Sequence, residues 1–487
     1  MTQNHSSFRD LVNFVVRNGE MRNRLLFTAG ILILFKLASF IPLPGIDIVS
    51  AREFAESSFM QLSKFEYLSK VSVLMLGTAP FLSACLLIQF ATAVIRPLRA
   101  ASFGGEVGRE LITRLTILIA LILSLIQGLL IGQLLEQPNS FGGGVLVPSP
   151  GWGFRLMCML TMTAATVLIY FAAQAIHRYG IGNGFALMTV LYVPFEFIFA
   201  VRKTIAEIQI KMVSIEGFII SGILGILFFV ALLLMSKVKE RIPLVKNGSD
   251  AGEIGVRLTM AGKMPFVLAG VMMMLPSVLS IYRNIPMLDQ AYSVITKNGY
   301  AEKGLYVLFI FIFTRFYFLL VFDTKYVCSL IHRYGYQIKT AGGHESETKF
   351  LSVRLKKMQT GAGLFLTFVF LFPVFAISLA KPENSLILFI RDIGLLLLIG
   401  VALDFLAQIK FLKLKYDSGV GKWAVAYTAF DEIEADVKRI FLNGNEIPAL
   451  IEPLRFSWGL PIRTMVDEYR LYVPGEKVEE ARRVLER

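Results

Sequence analysis

Cysteine is scarce in this sequence. Its three copies, Cys85, Cys158 and Cys328, lie in or beside apolar runs with no CxxC spacing, which excludes a disulfide framework or a thiolate zinc site and leaves them as small core residues. Charge is scarce too, at 17% of residues. No GxxxxGK[ST], GxSxG, HExxH or GxGxxG pattern occurs, so the chain carries no recognisable phosphate cradle, nucleophile elbow or hydrolytic metal site. Neither an enzymatic activity nor a cofactor is expected, and energy for its work comes from a partner or a gradient. What is abundant is apolar: 55% of 487 residues are hydrophobic and the mean hydropathy is +0.63, too much for a water-soluble globule. The chain reads as a membrane protein.

Runs of about 17 to 25 apolar residues suffice to cross ~30 Å of hydrocarbon as helix. Ten occur, at roughly 25–41, 71–95, 111–135, 154–176, 181–201, 217–236, 260–281, 304–322, 361–380 and 386–409. The first follows a leader, 1–24, that carries Arg9, Arg17, Arg22 and Arg24 without a small-residue cleavage site, so it reads as a retained span. An even number of spans puts both termini on one side. Their side holds 26 Lys and Arg residues in 1–24, the connections and 410–422, and the other side 12, which makes it the cytosolic one. Two cytosolic connections stand out, 237–259 and 323–358. The second carries Lys325, Arg333, Lys339, Lys349, Arg354, Lys356 and Lys357. That charge is either a topology signal alone or a docking surface for an acidic partner or RNA phosphates.

A repeat organises the spans. Gly77-Thr-Ala-Pro80-Phe81-Leu82 in the second run recurs as Gly262-Lys-Met-Pro265-Phe266-Val267 in the seventh, 185 residues on. Halves of five spans each must lie in opposite orientation, the inverted-repeat plan. Paired Gly and Pro free backbone groups that hydrocarbon tolerates only where protein or a water-filled cavity satisfies them, so both segments are expected to line a pathway. Their side chains are apolar or hydroxylic (Thr78, Leu82, Ser83, Val267), with few ionisable groups for holding a polar solute.

Past Trp423 the pattern changes. A strand-like Ala424 to Tyr427, a helix from Asp431 to Phe441, an apolar Ile447 to Ile451, a Gly/Pro loop, a strand-like Tyr469 to Val473 and a helix from Val478 predict a small soluble α+β domain over 423–487.

Over about residues 20–417 the sequence resembles the SecY family, the central subunit of the protein-conducting channel. The likeness rests on Phe40-Ile-Pro-Leu-Pro-Gly-Ile-Asp47, Leu76-Gly-Thr-Ala-Pro-Phe-Leu-Ser-Ala84 with Gln89, and Arg178-Tyr-Gly-Ile-Gly-Asn-Gly184. Met260-Ala-Gly-Lys-Met-Pro265, Leu305-Tyr-Val-Leu308 and Leu403-Asp-Phe-Leu-Ala-Gln408 continue it in order. The resemblance implies an all-α polytopic fold of two inverted five-helix halves, 25–205 and 206–417. It also implies a lateral gate between spans two and seven, through which apolar segments pass into the bilayer.

By the same resemblance the constriction ring falls on Thr78, Leu82, Phe185, Thr189, Val267 and Leu397. An uncharged ring dewets against ions yet yields to a sliding chain. Two threonines replace the usual aliphatics. Gate positions are Pro80, Ser83, Gln89, Thr259 and Pro265, with Thr259 in place of a common asparagine. The plug corresponds to about Met60 to Ser72, including Leu62, Phe65, Leu68, Ser69 and Lys70; the other reading of that stretch is an ordinary external loop. In the family both cytosolic loops carry arginines that engage the ribosome or a motor ATPase. Here docking falls to Arg241, Lys246, Lys339, Lys349, Arg354, Lys356 and Lys357. The first loop is shortened to Lys239-Glu-Arg-Ile-Pro-Leu-Val-Lys-Asn-Gly248, and lysine, a point charge, stands where arginine's fork is usual.

The implied partners are a single-span SecE-like subunit, a SecG-like subunit, and secretory and membrane-protein substrates. The implied location is the bacterial inner membrane, and the copy is either the housekeeping channel or a specialised second one. The tail resembles a small bacterial domain associated with signalling, through Ala426-Tyr-Thr-Ala-Phe-Asp431 and Leu471-Tyr-Val-Pro-Gly-Glu476. Two other readings stay open on the residues alone: an inverted-repeat secondary transporter, and a non-conducting membrane scaffold for the tail.

Overall fold

A computed structural model describes residues 8–47, 71–102, 105–136, 146–236, 238–257, 265–266, 268–270, 272–273, 299–339, 344–379, 386, 394–418, 422–429, 432–454 and 468–486. Thr259, Val267 and the plug stretch that holds Leu62, Phe65, Leu68, Ser69 and Lys70 lie outside these residues. The helices are α1 Phe8–Arg17, α2 Gly19–Ala38, α3 Ala79–Val94, α4 Arg96–Ser102, α5 Gly105–Leu135, α6 Trp152–Tyr179, α7 Gly184–Val190, α8 Val193–Gln209, α9 Ile215–Ser236, α10 Gly299–Val321, α11 Thr324–Arg333, α12 His344–Leu379 and α13 Gly394–Asp417. Every expected apolar run except the seventh, described only in fragments, carries helix. Among the described residues five helices are long and apolar enough to cross a membrane, or six if α3 and α4, bent by 111°, count as one broken span. The chain packs as two compact units: Met1–Leu191 with Gln408–Lys413, and Tyr192–Ala407 with Leu414–Pro461 and Asp467–Arg487.

In the first unit α5 and α6 pack closely because α5 presents Gly128-Leu-Leu-Ile-Gly132. A Cβ at Gly128 would stand 3.0 Å from the Met159 Cα, and one at Gly132 3.4 Å from the Arg155 Cα. Small residues at this spacing let two backbones approach in lipid, where dispersion and not water drives association. Ser124 adds a hydroxyl bond to Thr163 at 3.1 Å. At one end of the pair Glu136 accepts two bonds from the Arg155 guanidinium (2.8 and 2.6 Å) and one from the Gly151 amide (2.7 Å). Beside them Leu43, Leu135, Leu146, Phe154, Cys158 and Met162 form one apolar core.

The expected second span, 71–95, is corrected: residues 71–78 are turns and helix begins only at Ala79. Pro80 stands in the first helical turn, where its missing N–H costs nothing, and Gly77 supplies the left-handed backbone before it (φ +49°). The Gly-Pro pair therefore starts a helix and does not kink one.

In the second unit Phe228, Leu232, Ala269, Ile310, Phe365, Leu366, Val369, Ala376 and Ile399 form the apolar core. An all-α reading of this part is also corrected. Strands β1 Lys239–Lys246 and β2 Ser249–Arg257 make a hairpin, and β3 Gln337–Ile338 joins it in a sheet of order β2-β1-β3. The two-residue turn is Asn247-Gly248, both left-handed (φ 51° and 79°), the type I′ geometry that fits strand twist. Residues expected in the second connection instead build α11, capped by the Asp323 carboxylate on the Lys325 and Tyr326 amides (3.0 and 3.3 Å), and the first turns of the 36-residue α12. Glu347 on α12, 2% exposed, ties both together: one oxygen accepts from the Ile338 amide at 3.3 Å and the other pairs with His332.

After α13 come β4 Trp423–Ala429, α14 Glu432–Gly444, β5 Leu450–Leu454, β6 Glu468–Pro474 and α15 Val478–Glu486. The sheet order is β4-β6-β5, antiparallel at both pairings, around a core that includes Ala429, Leu442, Ile447, Leu471 and Val473. Its α14 also lies on the hairpin. Ile440 covers Gly252, whose Cβ would stand 3.4 Å from it; the Tyr336 hydroxyl reaches the Ile440 carbonyl at 3.4 Å, and the Tyr334 ring packs on Phe441 at 4.6 Å. Lys239 pairs with Glu432 at 2.9 Å. Asp436 sits beneath, its carboxyl pushed up by burial and held back by Arg439, Lys239 and the Gly255 amide.

Two outcomes follow for solution measurements. All three cysteines are buried, and burial pushes the Cys328 thiol up to about 11, so native protein in mild detergent should resist maleimide and label fully once denatured. Gly128→Leu should lower the melting temperature by several degrees, through overpacking worth about 1–3 kcal/mol. Gly222→Leu, where a Cβ meets nothing within 4 Å, should not.

Candidate functional site

Of the positions expected in the ring, Thr78, Leu82, Phe185 and Thr189 lie in the first unit. Thr78 precedes α3, and its carbonyl takes the Leu82 amide at 3.1 Å as the first helical bond. Phe185 and Thr189 lie one turn apart on α7. The Thr189 hydroxyl donates to the Phe185 carbonyl at 2.7 Å, so it accepts from the Thr78 hydroxyl across the 2.8 Å between them. Thus the two residues that depart from an aliphatic ring satisfy each other, and neither hydroxyl is left bare in apolar surroundings. Phe185 is 1% exposed, packed against Phe81 (5.3 Å), Tyr170 (6.4 Å) and His177 (6.3 Å). Leu82 and Ser83 are half-buried, and Gln89 and Pro80 are buried.

What fixes α7 is the turn before it. Gly180-Ile-Gly-Asn-Gly184 breaks the helical path, which leaves amides needing partners at membrane depth. Asn183 caps α7, its carbonyl oxygen accepting from the Ala186 amide at 3.1 Å. The Ile181 amide donates to the Thr28 hydroxyl at 2.9 Å and the Gly182 amide to the Gln408 side chain. A Cβ at Gly184 would lie 2.6 Å from the Ala173 Cα, so only glycine fits there. Thr28 was not singled out by sequence reasoning; a lone threonine inside an apolar run carries no signal without its partner.

In the second unit Pro265 is buried. Beside it the Phe266 carbonyl accepts the Tyr306 hydroxyl at 3.0 Å, with the two rings edge-on at 5.4 Å. A side chain from the Leu305-Tyr-Val-Leu308 stretch thereby attends to the backbone next to the second Gly-Pro repeat. Leu397 lies within α13, where the backbone alone is described. Among the described residues no cluster of His, Cys, Asp and Glu could hold a metal ion.

The docking cations divide. Arg241 pairs with Glu253 (3.4 Å), Lys339 with Asp250 (2.6 Å) and Arg354 with Glu240. Lys246 lies over the Tyr336 and Phe441 rings at 5.4 and 5.7 Å. Lys349, Lys356 and Lys357 are exposed on α12.

Comparison with known proteins decides the family. The SecY family profile matches residues 72–406. The chain belongs to the SecY family. Protein translocase subunit SecY of Thermus thermophilus is 27% identical over 409 residues, covering 80% of this chain and 92% of that one; that of Escherichia coli is 25% identical over 425 residues, covering 83% and 95%. Among solved structures, one described as a protein conducting channel matches with a TM-score of 0.54 at 14% identity, over 86% of this chain and all of the other. Another, from work on the plug domain of SecY, matches at 0.53. This SecY-family chain is a channel subunit and not an enzyme. The transporter and scaffold readings are not favoured.

The threonine pair yields a measurement. Thr78→Val and Thr189→Val, each followed by thermal melting in detergent, should lose about 1 kcal/mol apiece, and a double-mutant cycle should return a coupling of about 0.5–1.5 kcal/mol. A coupling of zero would mean the hydroxyls do not bond.

Proposed function

We propose that this SecY-family channel passes unfolded polypeptide through a throat formed by Thr78, Leu82, Phe185 and Thr189 together with Val267 and Leu397, and releases apolar segments sideways past Pro80, Ser83, Gln89, Thr259 and Pro265. The observation that carries this reading is the Thr78–Thr189 hydroxyl pair at 2.8 Å. It joins the residue that precedes α3, just after Gly77, to the last turn of the short α7, which starts after Asn183. Such a place is uncharged and internally satisfied, so it offers a passing chain no fixed hydrogen-bond partner and offers ions no coordination. A plug over about 60–72 closes it from outside.

In this reading ten spans form two inverted halves in the bacterial inner membrane with both termini cytosolic, as the bias in Lys and Arg requires. A SecE-like single-span subunit and a SecG-like subunit assemble with them. The ribosome docks on the cytosolic side, in keeping with the likeness to a Sec61 chain from a canine ribosome-channel complex (TM-score 0.50, 14% identity), and a motor ATPase is the other drive the family permits. Among the described residues Lys349, Lys356 and Lys357 are the docking cations with neither a carboxylate partner nor a ring beneath them, and a polyanionic surface such as RNA phosphate is what three exposed lysines on one helix attract. Residues 423–487 form a separate module.

The test is crosslinking from photoreactive groups placed at 82 and 267 to a stalled secretory chain in native membranes, followed by purification in mild detergent. Adducts at both positions and a co-purifying single-span subunit are expected. Adducts at neither position would reject the throat.

A further inference from the structure

The seven cations that the sequence offers for docking are not equally available, and the C-terminal module is one reason. Its α14 covers the hairpin turn side at Gly252 with Ile440, and Phe441 lies between the Tyr334 ring and the Lys246 ammonium. Lys239, at the start of β1, is held by Glu432. The module has an apolar core of its own, which includes Ala429, Leu442, Ile447, Leu471 and Val473 and contains neither Phe441 nor Glu432. The contact itself is built of the buried Ile440, aromatic rings, a partly exposed ion pair (39% and 21%) and a half-buried carboxylate, Asp436. Its polar share is that of a contact between domains that can part.

We propose that the C-terminal module is a built-in occupant of the cytosolic hairpin, seated where a docking partner of the channel would otherwise sit, so that docking requires it to leave. The inference rests on the docking reading above and adds to it an internal competitor. While the module is seated, Lys239 and Lys246 are neutralised or covered and the Tyr334–Tyr336 segment is under α14. A partner then finds only the α12 lysines. Release adds the hairpin face and its two cations to the docking surface. If the seated form outnumbers the released form about ten to one, apparent affinity for a partner that needs the hairpin falls about tenfold.

Binding of vacant bacterial ribosomes to the full chain in nanodiscs, with its co-purified small subunits, tests this. Phe441→Ala and Glu432→Lys should each tighten binding, and together by about tenfold. Lys239→Glu added to Glu432→Lys should restore the weaker value, which a merely unfolded module would not allow. Removal of 423–487 should match the double variant. A Lys349→Glu, Lys356→Glu, Lys357→Glu triple should lose binding in every background. If the triple loses binding while the contact variants and the deletion bind like the full chain, the internal competitor is rejected and the docking reading stands. If no form binds ribosomes, the docking reading fails and the competitor with it.

Discussion

A peptide group at membrane depth has no water to turn to, and the described architecture follows from how this chain meets that requirement where its helices are interrupted. Two interruptions matter most. Before α3 the chain runs as turns from 71 to 78, stitched to the segment after α2 by the Leu43 amide on the Val71 carbonyl and the Val73 amide on the Ile41 carbonyl, 3.1 and 3.0 Å. Before α7 the glycine turn hands its Ile181 and Gly182 amides to Thr28 and Gln408, and its own Asn183 side chain accepts the Ala186 amide of the helix that follows. These donors and acceptors are uncharged, so the interruptions bring polarity without bringing ions. The helices that follow them hold Thr78 and Thr189 against each other.

Much of the fold was legible because its signals are local. Length and apolarity locate helices almost wherever they occur. The tail was read element by element, since alternation at Ala424–Tyr427 and Tyr469–Val473 and acidic residues after Asp431 announce strands and a helix within a few residues. The hairpin at 239–257 was missed, although Asn247-Gly248 between alternating residues is a strong short-range signal. The expectation of a loop between spans outweighed it. The length of α12 was missed for a different reason: its first turns carry Lys349, Arg354, Lys356 and Lys357 and look like connection, while their helicity depends on Leu351, Leu355 and Met358 being buried at a helical spacing.

For the site, the sequence patterns name segments but not how their residues interact. Thr78 and Thr189 are 111 residues apart, and nothing in either neighbourhood shows that one hydroxyl answers the other. The same holds for Thr28 with Ile181, and for Tyr306 with the Phe266 carbonyl. Motifs fix residue identity at a position; long-range hydrogen bonds are set by packing of elements whose relation no single window contains. The covering of Gly252 by Ile440 is likewise invisible from either segment.

The continuous α12 has a mechanical meaning. At about 1.5 Å per residue its 36 residues make a rod roughly 54 Å long. One end lies in the water-facing sheet region, through Glu347, and the other among Phe365, Val369 and Ala376 in the apolar core. A helix transmits a push or twist along its axis without loss where its ladder is intact, and Pro373 is the place where that ladder lacks a rung. Load applied to the lysine-bearing turns is therefore delivered to the bilayer-depth core as far as Val369, and bending is concentrated just beyond it.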